Sequence, residues 1–365
     1  MIRMKQLYLV FFTVTLFSFA QSNKSTNAID VSFLKGNVLP HTSDLRNLLG
    51  HPEGVMVSFS KQTHGSKEWH STYGFPEYGG YFLYQNFDNT ILGKSYAVGL
   101  HYNFYFLNRH LQFKLAQGFA FVNNPYDKVE NSKNKALGTS IVDNTNIGLS
   151  YKHENLFDKF GIQAGLLFTH YSNGRTKSPN SGINTYLINV GVNYDFDGAI
   201  KNVKDTTYHK IDYREPIRCN VVLRSGINES PVIGSGQHPF YHIGFYADKR
   251  IGRKSALQFG TELFLTQYLK DYIKYRSIAY PNENVDPNTD YKRIGVFVGH
   301  ELFVNRFSIE AQIGYYVYSP YKNDISIYNR VGMKYYITKN IFTGFTIKTH
   351  LFLAEALEFA IGVRL

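Results

Sequence analysis

The sequence predicts an all-β protein, an antiparallel up-and-down transmembrane β-barrel of about 14–16 strands. Three observations predict it. Segments of about ten residues alternate apolar side chains with small or polar ones, the period-two pattern of a strand with two unlike faces. Beyond residue 20 no apolar run approaches the roughly 20 residues of a membrane-crossing helix, and lipid accepts only helices and closed barrels. Aromatics make up 16% of the chain, with 29 Tyr and 29 Phe against one Trp, an excess that interfacial girdles on a barrel would use.

The chain opens with Arg3 and Lys5, an apolar stretch from Leu7 to Phe17, and Ser18-Phe19-Ala20 before polar Gln21-Ser22-Asn23-Lys24. This is the order of a cleaved secretory signal, residues 1–20. The single cysteine, Cys219, excludes an internal disulfide and a Cys-rich metal site, and no Cys follows the signal to carry a lipid anchor. A net charge of +11 and a pI near 9.3 favour an anionic partner. For a secreted chain that partner is an anionic lipid, such as a phosphorylated glycolipid, and not nucleic acid.

Residues 21–52 are expected to form an N-terminal periplasmic segment. Turn signals then divide 53–196 into about eight strands, near 54–61, 66–73, 77–87, 95–106, 110–122, 143–154, 159–172 and 184–196. In 95–106, Tyr96, Val98, Leu100, Tyr102, Phe104 and Phe106 share one face and Ser95, Ala97, Gly99, His101 and Asn103 the other. Residues 184–194 repeat the pattern, with Tyr186, Ile188, Val190, Val192 and Tyr194 on the apolar face. Tight connections fall at Gly74-Phe75-Pro76, Leu107-Asn108-Arg109 and Asn155 to Asp158, and longer polar ones at 123–142 and 173–183. Outer-membrane barrels have short periplasmic turns and longer outer loops, so 173–183 is expected on the outer side.

Residues 197–216 are expected as a periplasmic linker. A second set of about eight strands follows, near 217–227, 239–249, 256–267, 291–303, 307–318, 326–336, 342–351 and 356–365. Asn108-Arg109, Ala116-Gln117 and Pro125-Tyr126 recur in order as Asn305-Arg306, Ala311-Gln312 and Pro320-Tyr321, which reads as a duplicated eight-stranded unit. Two barrels in one chain would be unusual, which favours one closed wall. Alternation turns Glu262, Arg293, Glu301, Glu310, Arg330, Lys334 and Arg364 inward, which favours a small filled barrel instead. The expectation is one large barrel, with two small ones as the alternative.

One segment carries candidate chemistry. Ile162, Ala164, Leu166 and Phe168 form an apolar row that His170 and Ser172 continue at the end of the strand. A histidine and a serine two apart on one strand face sit side by side, where an imidazole can take a hydroxyl proton. Polar residues capping a barrel strand at the membrane interface are the alternative.

His170-Tyr171-Ser172-Asn173-Gly174, followed by Pro179-Asn180, Gly182 and Ile183, resembles the active-site segment of the PagL-type lipid A 3-O-deacylases. Trp69-His70, Tyr73-Gly74-Phe75-Pro76 and Leu92-Gly93 also resemble the acyloxyacyl hydrolase group of Bacteroidetes. The resemblance covers roughly 53–196. It implies an outer-membrane serine esterase acting on lipopolysaccharide, with His170 as general base and Ser172 as nucleophile. Asn173, Asn180 and the amide of Gly174 are then the oxyanion candidates. Where the family can carry a glutamate to orient the histidine, this chain has Asn184, whose side-chain oxygen can still accept from the ring but supplies no full charge. A non-enzymatic barrel, pore or binding protein with an inherited site is the rival reading.

The second half offers no equivalent pair. His350 ends a strand without an accompanying serine and is expected inward, near Glu358. Arg175, Lys177 and Lys128, Lys133 and Lys135 of the 123–142 loop are candidates for meeting lipid A phosphates. No metal or cofactor motif is present.

Overall fold

The computed structural model describes residues 27–197 and 215–365, apart from Ser66, Asn323 and Phe352. The expected signal at 1–20 and most of the linker at 197–216 lie outside these residues. The chain forms two closed eight-stranded antiparallel barrels, not one wall. The first comprises β1 (Asn27–Leu39), β2 (Glu53–Gln62), β3 (Glu77–Asn86), β4 (Lys94–Phe106), β5 (Leu111–Val122), β6 (Ile141–Phe157), β7 (Phe160–Ser172) and β8 (Ile183–Asp195). The second comprises β9 (Arg218–Glu229), β10 (Gln237–Arg250), β11 (Ser255–Thr266), β12 (Arg293–Val304), β13 (Phe307–Tyr318), β14 (Ile327–Tyr336), β15 (Ile341–His350) and β16 (Leu353–Arg364). Closure is visible in the register: Val31 of β1 lies opposite Val57 of β2 and Val192 of β8, and Leu223 of β9 opposite Ile243 of β10 and Ile361 of β16.

The inward charges explain why the expected single wall is replaced by two. An eight-stranded barrel has just enough interior for side chains to fill. In the second barrel Arg224 and Arg330 reach across to Glu262, at 2.8 and 2.7 Å, with no exposed side-chain surface on any of the three. Lys334 lies between Glu301 and Glu310, at 3.1 and 2.7 Å. In the first barrel Lys152 meets Asp30 at 3.0 Å and Tyr81 donates to Asn144 at 2.8 Å. A wider wall would leave these charges without partners. His350 does point inward as expected, but to the Tyr316 hydroxyl at 3.0 Å and toward Glu355, while Glu358 pairs with His242.

Two local expectations change. The first strand of the first barrel is β1, inside the stretch read as a periplasmic segment: Ile29, Val31 and Phe33 face out while Asp30 and Ser32 bond across the lumen to Lys152 and Gln163. Residues 66–73, read as a strand, instead hold a one-turn helix α1 (Glu68–Thr72), because the Ser71 and Thr72 hydroxyls fold back onto the Glu68 carbonyl at 3.0 and 2.9 Å. The Ala-Gln repeat falls on corresponding strands, β5 and β13, but on opposite faces: Ala116 and Gln312 are buried, whereas Ala311 is exposed. The resemblance of the halves is thus one of architecture, not of those residues.

Outward rows are apolar and bare, as Leu100 (69% exposed), Leu166 (63%) and Val298 (59%) show, a surface suited to lipid and not to water. Connections 40–52, 87–93, 123–140 and 173–182 gather at one end of the first barrel and the tight turns at the other, with the α1 connection the long exception. The barrels touch at both ends. At the tight-turn end Glu68 pairs with Arg253 and Tyr73 donates to the Phe303 carbonyl. Phe119 and Phe345 meet edge to face at 6.0 Å between the walls. At the long-loop end the 173–182 connection rests on the second barrel.

Candidate active site

β7 delivers His170 and Ser172 to the long-loop end on its outward row, as alternation requires. His170 lies opposite Asn184 of β8 and Thr145 of β6, and Ser172 lies opposite Asp143 of β6. Ser172 is nevertheless only 3% exposed, because the following loop folds over it. The His170 Nδ1–H donates to Asn184 Oδ1 at 2.6 Å. That bond fixes the tautomer and leaves Nε2 as a lone pair, the form a general base needs.

His170 and Ser172 both approach Gly182. A Cβ placed on it would stand 3.1 Å from His170 Cε1 and 3.4 Å from Ser172 Cβ, so both groups close on the same bare backbone, held at φ +71°. No hydrogen bond joins His170 Nε2 to the Ser172 hydroxyl among the described residues; such bonds commonly tighten only on substrate binding. Ser172 Oγ instead accepts the Gly174 N–H at 3.1 Å.

The other predicted residues divide between chemistry and scaffolding. Asn173 shapes the loop: its N–H donates to Asn180 Oδ1 at 2.8 Å, its Nδ2 to the Lys177 carbonyl at 2.8 Å, and its Oδ1 accepts from the Arg175 N–H at 2.9 Å. Asn180 Oδ1 takes the Asn173 N–H and its Nδ2 has no hydrogen-bond partner among the described residues, whereas the Gly174 N–H is already given to Ser172 Oγ. Arg175 turns to the second barrel, its guanidinium over Tyr268 of helix α2 (Tyr268–Ala279) at 5.5 Å. Lys177, Lys128 and Lys133 are exposed, while Lys135 lies over Tyr126 at 4.9 Å. The 123–140 loop walls the site, since the Ser181 and Gly182 N–H groups donate to the Lys135 and Ala136 carbonyls.

Two residues escaped the sequence reading. Asp143 interrupts the outward row Ile141, Thr145, Ile147, Leu149 beside Ser172, and is held by Gln117 and by Thr145 Oγ1 at 3.1 Å. A carboxylate inside an apolar lipid-facing row was a visible signal. His41, just past β1, accepts from Asn184 Nδ2 at 3.1 Å and donates from Nε2 to the Ser181 carbonyl at 2.8 Å. Nothing local marked it, because its strand had not been recognised as part of the wall.

Fold and site together define a class: closed barrels of outer-membrane type carrying an oriented histidine beside a serine at the long-loop end. Within that class, residues 53–193 match the family described as lipid A 3-O-deacylase (PagL), and residues 217–365 match the acyloxyacyl hydrolase C-terminal domain. The two matches meet the two barrels and together span most of the chain, which belongs to this PagL-type, acyloxyacyl hydrolase family of hydrolases. β1 and His41 precede the matched region. Among solved structures, the neisserial surface protein A shares 12% identity over 47% of this chain and 97% of its own, with a TM-score of 0.29. A porin mutant of Rh. blastica shares 9% over 93% and 99%, at 0.19, and CdiB from Acinetobacter baumannii 10% over 94% and 61%, at 0.19. Scores this low leave the barrel closure resting on the strand pairing of this chain itself. No curated protein matches the chain in sequence.

Proposed function

We propose that the chain is a serine esterase of the Gram-negative outer membrane that hydrolyses an acyl ester of lipid A. The observation that carries this reading is the His170 Nδ1–Asn184 Oδ1 bond, which leaves Nε2 as an acceptor beside Ser172. With short turns toward the periplasm, the long-loop end lies in the outer leaflet, where lipid A presents its esters.

His170 takes the Ser172 proton as Oγ attacks the ester carbonyl. The Gly174 N–H and Asn180 Nδ2 stabilise the tetrahedral oxyanion. The imidazolium returns its proton to the departing hydroxyl of the lipid, leaving an acyl-serine. Water, deprotonated by the same imidazole, then attacks the acyl-serine, the fatty acid leaves, and Ser172 recovers its proton. Asn184 supports the imidazolium as a dipole and not as a charge, as an asparagine does in papain-like triads.

A second reading, a binding or structural barrel with an inherited site, is favoured by the missing acid at Asn184 and by the Gly174 bond that occupies Ser172 Oγ. Mass spectrometry of lipid A from cells expressing wild type, Ser172→Ala or His170→Ala separates the two. The esterase predicts loss of an acyl chain with wild type alone, both variants staying folded by heat-modifiable gel migration. Their effects should be non-additive, since base and nucleophile act as one unit. A folded Ser172→Ala protein that still releases fatty acid would end the serine-esterase reading.

A further inference from the structure

Asn184 has a weakness that a carboxylate orienter lacks. Its amide presents an oxygen on one side and an NH2 on the other, and only one orientation is useful. If the amide were turned over, Nδ2 would donate to His170 Nδ1, the ring proton would sit on Nε2, and that nitrogen would have no lone pair for the serine proton.

The direction of each bond around Asn184 follows from one carbonyl. The Ser181 carbonyl can only accept, so His41 Nε2, 2.8 Å away, carries the proton. In a neutral imidazole Nδ1 is then an acceptor, and the Asn184 atom facing it at 3.1 Å must be the NH2. That leaves Oδ1 for His170 Nδ1 at 2.6 Å. Strand pairing builds the contact, since Leu39 of β1 is registered against Asn184 of β8 and His41 lies two residues further along.

We infer that His41 is a positioning residue of the active site, holding the Asn184 amide in the one orientation that keeps His170 a base. This deepens the esterase reading and rests on it for its kinetic consequence. The orientation itself is independent of which residue attacks.

The test uses full-length protein in detergent micelles with lipid A as substrate. His41→Ala should lower kcat about tenfold with KM within about twofold, because the orienter acts on the base and not on substrate binding. Asn184→Asp removes the need for orientation, since either carboxylate oxygen accepts from His170. In that background His41→Ala should change kcat by less than about twofold. Equal losses in both backgrounds would mean that His41 merely packs, and would overturn the inference. A second readout needs no turnover: with 15N-labelled histidine, the His170 signal, assigned through His170→Ala, should report a single Nδ1–H tautomer in wild type and a mixture in His41→Ala. An unchanged tautomer in a folded His41→Ala protein would also overturn it. If Ser172→Ala stayed active while the tautomer shifted, the esterase mechanism would fail and the positioning role would stand.

Discussion

Ser178, in the loop that follows the candidate nucleophile, donates its backbone N–H to the carboxylate of Glu229 at the end of β9, 2.7 Å away in the other barrel. The same loop is held at three further points: Ser178 Oγ donates to the Ser230 carbonyl at 2.6 Å, the Glu229 N–H to the Arg175 carbonyl at 3.1 Å, and Gln237 to the Thr176 carbonyl at 2.7 Å. Gly174 lies so close to Leu357 of β16 that a Cβ would stand 2.6 Å from the leucine Cβ. The second barrel thus brackets the loop that bears the Gly174 amide and Asn180.

Removing that bracket should cost turnover without costing the fold. Glu229→Ala should lower fatty acid release about 10- to 100-fold, the range expected when a catalytic group is misplaced by about an ångström. Glu229→Gln keeps an acceptor for the Ser178 N–H and should lose less. Assays on lipid A micelles, with gel migration to check folding, decide it. Wild-type turnover from Glu229→Ala would show that the loop holds its shape alone.

Gly182 makes a second, more local prediction. Its φ of +71° costs an alanine about 1–2 kcal/mol, and the added Cβ would crowd the His170 ring and the Tyr171 carbonyl, each 3.1 Å away, while only touching Ser172. Gly182→Ala should therefore reduce kcat about 100-fold while the barrel still assembles, since a displaced His170 ring spoils the near-attack geometry. A kinetic assay of folded Gly182→Ala protein showing unchanged kcat would mean that His170 and Ser172 do not work across this glycine.

Strand alternation made most of both walls legible, and the His170, Ser172, Asn184 row with it, because one face of each strand meets lipid and the other a filled lumen. What stayed hidden depends on partners distant in sequence. Asp30 and Ser32 make β1 look polar until Lys152 and Gln163 are seen across the lumen, and Trp69, Ser71 and Tyr73 alternate like a strand although two hydroxyls curl Glu68–Thr72 into a helix. The barrel count was written in Glu262, Arg330 and their neighbours, but sequence alone does not say which charges meet. His41 could be placed only once β1 was paired with β8.

Asn184 sets the third prediction. If it orients His170, Asn184→Ala should slow turnover by less than Ser172→Ala, because a base without its orienter keeps part of its function. Asn184→Glu should hold or raise activity, as a carboxylate stabilises the imidazolium with a full charge. Turnover at the wild-type rate from Asn184→Ala would remove the residue from the mechanism and the His41 relay with it.

The last prediction links the second lumen to the site. Arg330 donates to Glu358 at 2.6 and 3.0 Å and to Glu262 at 2.7 Å, and Arg224, on the same strand as Glu229, shares Glu262 at 2.8 Å. All four side chains are fully buried. Arg330→Met would leave Glu262 to Arg224 and Glu358 to His242 and Thr346, with one buried positive charge lost, and losing one partner of a buried ion pair typically costs about 3–5 kcal/mol. The second barrel should then lose its compact gel form at a lower temperature. Replacing Glu358 by Leu in the same protein should recover part of the loss, because an apolar pair leaves fewer charges unmatched. Since β9 carries both Arg224 and the loop-holding Glu229, fatty acid release by the single variant should fall at temperatures where the second barrel loosens and persist below them. Arg330→Met with wild-type thermal behaviour would mean that the lumen charges do not hold β9 in place, and the bracket on the active-site loop would have to draw its rigidity from the wall hydrogen bonds alone.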